Sequence, residues 1–105
     1  MLDGVDVANN SKLTTLTYHG VNVAGTVGYW SAVGGRWGNY ASGLTSRQLD
    51  NLRIAAGSNH WTVMGVDLSE PGTGGAHLTD NSGATDYILC ANRPNGAGLN
   101  GHCGS

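Results

Sequence analysis

Cys90 and Cys103 are the only cysteines in the chain, and the segment joining them constrains the fold more than any other feature. It lies in the run "TDYILCANRPNGAGLNGHC", where a strand-like stretch is followed by one proline, three glycines and three asparagines. An even cysteine count in a small exported domain reads as a disulfide framework, and two cysteines allow one intramolecular pairing. Closing a loop of about 14 residues contributes roughly 3 kcal/mol in the chain-entropy picture. The glycines give the backbone freedom to fold back and bring the sulfurs together. Two buried free thiols and a bond to another molecule are the competing readings. A redox pair would sit closer in sequence beside a helix start, and one pair cannot make a four-cysteine metal site. A disulfide needs an oxidising compartment, so the expected location is extracellular or the cell surface, reached through the periplasm.

A chain of 105 residues is expected to form one domain spanning 1–105. Only 11% of its residues are charged, against the roughly 25% usual for soluble domains. Much of the surface is therefore expected to touch other chains. The net charge of −2 and the scattering of Arg36, Arg47, Arg53 and Arg93 argue against nucleic acid, which needs clustered cations. No apolar run approaches the roughly 20 residues of a membrane span. The start, "MLDGVDVANNSK", is acidic and lacks the regions of a signal peptide.

Along the chain no internal repeat of useful length stands out. "KLTTLTY" and "VNVAGTVGYW" flank a short "HG" turn and read as a hairpin. "SAVGGRWGNYASG" reads as a glycine-punctuated loop. "TSRQLDNLRIAA" predicts a short helix, with Thr45 and Gln48 at capping-box spacing, an apolar stripe through Leu49, Leu52 and Ala56, and Gly57 as its stop. In "HWTVMGVDL" the face bearing Thr62, Met64, Val66 and Leu68 is the more apolar and is expected to face the core. "TDYILCAN" supplies a final strand. The fold class expected is α+β: a small antiparallel sheet with one short helix and a disulfide-closed C-terminal loop. An all-β sandwich is the alternative.

Signals for chemistry are weak. His19, His60, His77 and His102 show no ligand spacing on a common helix face. "LTDNSGATD" offers Asp80 and Asp86 as oxygen donors for calcium but lacks the closing Glu of an EF-hand, and a solvated turn is the default. No phosphate loop or serine elbow is present. The expectation is a non-enzyme without cofactors. Trp37 and Tyr40 are candidates for a surface contact, with a partner chain or with sugars, since exposed aromatics mark interfaces.

Two stretches, "YASGLTSRQLDNLRIAAGSNHWTVMGVDL" and "TDYILCANRPNGAGLNGHC", together resemble the globular end of type IV pilins and pseudopilins over Tyr40 to Cys103. In that family a closing strand and tail are stapled into an exposed loop, which Cys90 and Cys103 match. Pilins begin with a long apolar helix, and none is present in this sequence. The resemblance is therefore to the separate globular chain of a split pilin. It implies a structural subunit of an extracellular filament, pairing with a short helical chain and with copies of itself. Leu2, Val5 and Val7, apolar residues at the start of the chain, are the expected contacts with that helix. A secreted carbohydrate-binding or adhesin module is the alternative function.

Overall fold

Short runs of apolar and β-branched residues, separated by glycine turns, form the strands of this protein, but they pair in a way the sequence reading did not anticipate. The computed structural model describes residues 1–8, 19–39, 48–96 and 98–104. Among them are nine strands: β1 (Leu2–Asp3), β2 (Val7–Ala8), β3 (Val21–Val23), β4 (Trp30–Val33), β5 (Trp37–Gly38), β6 (Leu52–Ile54), β7 (Trp61–Met64), β8 (Leu78–Asp80) and β9 (Tyr87–Cys90). Every strand-to-strand pairing is parallel.

The strands fall into three strips, ordered β1-β4-β7-β9, β2-β5 and β3-β6-β8. Bridges of Arg36 to Asp67 and of Asp67 to Arg93 prolong the second strip. The chain visits the strips in rotation, and each visit lies beside the previous one. Val21 stands opposite Leu52, and Leu52 opposite Leu78, so successive coils take 31 and then 26 residues. The architecture is a parallel β-solenoid, in which each coil is stabilised chiefly by its neighbours. Equivalent residues of successive coils form columns about 4.8 Å apart along the axis.

This overturns the α+β class and the antiparallel sheet. No helix occurs among the described residues, and the segment expected to be helical contains strand β6. Leu52 and Ile54 are fully buried with Arg53 turned outward between them, the period of two that defines a strand. β3 pairs in parallel with β6; its expected hairpin partner, "KLTTLTY", lies outside the described residues, as does Thr45. There is also a repeat: the three coils align residue for residue from β3 to β4, β6 to β7 and β8 to β9.

The core fills the inside of the coil. Ala32, Val63 and Leu89 form one inward column, buried and in register. Each fully buried Val or Leu contributes about 1.5–3 kcal/mol relative to exposure. Trp30, Trp61 and Tyr87 stack as a second column, with ring centroids 5.6 and then 4.6 Å apart. In β7 the inward residues are thus Trp61 and Val63, not Thr62 and Met64. Val66 and Leu68 are nevertheless buried, because Gly65 turns the corner at φ +68° and resets which side chains point in.

Buried amides hold the corners together. Asn51 donates to the carbonyls of Leu68 and Ser69 at 2.6 and 2.7 Å and accepts from Gln48 Nε2 at 2.8 Å. Asn92 donates to Val63 and Leu99 at 3.0 and 2.9 Å and accepts from the Val66 amide at 2.9 Å. Each closes backbone groups that a buried turn would otherwise leave unpaired, at about 1–3 kcal/mol apiece.

Candidate assembly face and outward columns

The two ends of the solenoid differ. At the C-terminal end the chain folds back on itself. His102 pairs antiparallel with Leu89, through bonds of 2.7 and 3.2 Å, and its ring stacks on Tyr87 at 4.1 Å. Leu99 is buried over the last coil, and Asn100 exchanges bonds with the Asn92 backbone at 2.6 and 3.2 Å. The Cys90–Cys103 disulfide, predicted from sequence, is formed, with Cα atoms 4.8 Å apart. It pins a tail that blunts the outer edge of β9, which an unpaired strand would otherwise offer to other chains.

At the N-terminal end no such cap occurs among the described residues. β1, β2 and β3 are each first in their strip, with no strand beyond them among the described residues. Of six exposed large apolar side chains among the described residues, five (Met1, Leu2, Val5, Val27 and Tyr29) belong to this end, and Met64 is the sixth. A cavity of about 310 Å³ opens here into the core, lined by Met1, Leu2, Val21, Val23, Val27 and Trp30 among others. Of the proposed contact residues, Leu2 and Val5 are exposed at this face. Val7 is half-buried and pairs with Trp37. Trp37 is no surface contact: it is fully buried, and its Nε1 donates to the Val5 carbonyl at 2.8 Å. Tyr40 lies outside the described residues. Gly35 makes the close approach between the first coils possible, because a Cβ there would stand 2.1 Å from the Val5 oxygen.

A column at the corner before the first strip carries Tyr29, His60 and Asp86. Tyr29 stacks on His60 at 4.4 Å, and His60 Nδ1 lies 2.9 Å from Asp86. Both Tyr29 and His60 have positive φ, 54° and 55°, a conformation uncommon for bulky residues. Asn59 braces the turn by accepting from the amides of Thr85 and Asp86 at 3.1 and 3.0 Å. Asp80, the other calcium candidate, is engaged separately by the Ser82 amide and hydroxyl. No group of three metal-binding side chains occurs among the described residues.

Comparison of the chain with family models, curated proteins and solved structures finds no match. Function must therefore be argued from the geometry.

The third strip has its own outward column, Asn22, Arg53 and Thr79, in register across β3, β6 and β8. Beside it His19 Nδ1 lies 3.2 Å from Asp50. Asp50 also accepts from the Ala76 amide and the Thr79 hydroxyl, each at 2.9 Å. Sequence reading singled out neither Asp50 nor Arg53, since their proximity to His19 and Thr79 exists only once parallel coils are stacked.

Proposed function

We propose that this chain is a non-catalytic assembly module: a solenoid terminator that closes its own C-terminal end and docks by its N-terminal end onto a second copy. The observation that carries this is the asymmetry of the ends, one sealed by Leu99, His102 and the disulfide, the other an apolar cavity rimmed by strands that have no outer neighbour among the described residues. Burial of the exposed Met1, Leu2, Val5, Val27 and Tyr29 supplies the driving force. The outer edges of β1, β2 and β3, which meet no strand among the described residues, supply backbone hydrogen bonds.

Strand edges of this kind favour a strand over a helix as the occupant. Two open ends meeting across a two-fold axis place β1 against its counterpart antiparallel, an isologous contact that closes on itself. With the opposite end capped, growth stops at a pair. The disulfide supports an oxidising, extracellular setting for that pair.

Sedimentation over a concentration series tests the reading. The wild-type chain should be a dimer, and the Leu2→Asp/Val5→Asp variant a monomer with an unchanged circular dichroism spectrum. A wild-type chain that stays monomeric at the highest attainable concentration overturns it.

A further inference from the structure

The outward column of the third strip contains a cation that lacks a counter-charge. Arg53 is centred in β6 between two fully buried neighbours, so its side chain leaves the solenoid on the outer face, where it is half-buried. Its guanidinium makes no hydrogen bond or ion pair among the described residues. The carboxylate held on the same side of the strip, Asp50, is already committed to His19, the Ala76 amide and Thr79. A partly desolvated charge is costly without a partner, and a guanidinium presents a planar fork of donors matched to a carboxylate. We infer that Arg53 is the anchor of a binding site for a carboxylate-bearing polysaccharide lying along the third strip.

The neighbours of Arg53 select the class of ligand. Asn22 precedes it and Thr79 follows it in register, each about 4.8 Å away along the axis. The column thus reads neutral hydrogen-bonder, cation, neutral hydrogen-bonder. A chain of sugars in which a uronate alternates with a neutral unit has the same alternation, with hydroxyls for Asn22 and Thr79 and a carboxylate for Arg53. A nucleic acid carries a charge on every unit, and a single Arg cannot match that density. An extended acidic peptide binds through a free strand edge, and β6 has none, being flanked by β3 and β8. His19, oriented through Nδ1 by Asp50, keeps its other ring nitrogen for a sugar hydroxyl.

Titration calorimetry with hyaluronate as the probe tests this. The wild-type chain should bind hyaluronate but not its carboxyl methyl ester, and Arg53→Gln should lower affinity about tenfold or more. Arg93→Gln, which removes an exposed cation from the second strip, should leave binding unchanged. Circular dichroism verifies that each variant is folded, and Arg53→Lys, which keeps the charge but loses the fork, should retain part of the affinity. The inference fails if hyaluronate does not bind, if the methyl ester binds equally, or if Arg93→Gln weakens binding as much as Arg53→Gln. Equal binding of polyglutamate would identify a general carboxylate site and overturn the polysaccharide assignment.

Discussion

Trp61 is buried in the middle of the aromatic column, and its indole Nε1 is a buried polar atom without a hydrogen-bond partner among the described residues. One coil earlier the same problem is solved: Trp30 Nε1 donates to Ser58 Oγ at 2.9 Å, and that hydroxyl donates to the Val27 carbonyl at 2.6 Å. The register that places Leu52 beside Leu78 and Trp61 beside Tyr87 puts Ala84 in the column of Ser58. Ala84→Ser should therefore give Trp61 its acceptor, with the Ser58 carbonyl receiving the new hydroxyl proton. A made hydrogen bond contributes about 1 kcal/mol net, and relief of an orphaned donor adds to it. Burying the hydroxyl offsets part of that gain, and about 1 kcal/mol of stabilisation is the expected balance. For a domain of this size that raises the melting temperature by about 4–8 °C. Thermal and urea unfolding measure the change, and slowed hydrogen exchange at the Trp61 indole identifies its source. Ala84→Val, which adds volume without an acceptor, should give no such protection. If Ala84→Ser is neutral or destabilising while the fold is kept, the alignment of columns is wrong in this region.

Ser58→Ala, the converse change, should orphan Trp30 Nε1 and cost about 1–3 kcal/mol in urea unfolding. Gly25→Ala should unfold the chain or greatly destabilise it, because its Cβ would lie 2.0 Å from the Ala56 carbonyl oxygen of the next coil and neither backbone can yield cheaply; a native melting temperature would refute that packing. Asp3 is an exposed carboxylate on β1, which two-fold pairing brings near its own copy, so Asp3→Asn and added salt should each tighten the proposed dimer in sedimentation. Replacing both cysteines by alanine should cost about 3 kcal/mol and free the tail from β9, so that dimers grow into larger species; loss of stability without growth would show that the tail stays docked by Leu99 and His102 alone.

The disulfide and several strand positions were legible in the sequence. Pairing direction was not. A strand of three residues such as Leu52–Ile54 carries no mark of whether its neighbour runs parallel or antiparallel, and "LRIAA" satisfies a helical stripe as well as a two-residue alternation. The repeat was hidden by unequal corners. From Val21 to Trp30, Leu52 to Trp61 and Leu78 to Tyr87 the spacing is constant, but the return to the third strip is shorter in the last coil. A search for one fixed period misses it, and the surviving signature, Trp30, Trp61 and Tyr87 in one column, conserves ring shape rather than identity. Of the candidate contacts, Leu2 and Val5 were legible as apolar residues at the start of the chain. Trp37 was misplaced because its neighbouring glycines suggested a loop, whereas they form the tight corner that encloses it.

The low charge content gains a second cause from the fold. Parallel stacking places equivalent residues about 4.8 Å apart, so a like charge repeated down a column would repel at every coil. The charged columns avoid this by alternation. Arg36, Asp67 and Arg93 follow one another in the second strip with opposite signs adjacent. Asp86 and Asp50 each face a histidine rather than a second carboxylate. Other outward columns are neutral, as with Ser31, Thr62 and Ile88 across the first strip, or carry one charge, as where Asp3 stands beside Val33. Few charges are therefore what an in-register stack of this kind tolerates, before any contact with other chains is invoked. Arg53 is a cation with neutral neighbours above and below, and Asp50, the carboxylate bonded to the neighbouring Thr79, is already engaged. The rule that explains why charges are scarce also marks Arg53 as a position where an external carboxylate would complete the column.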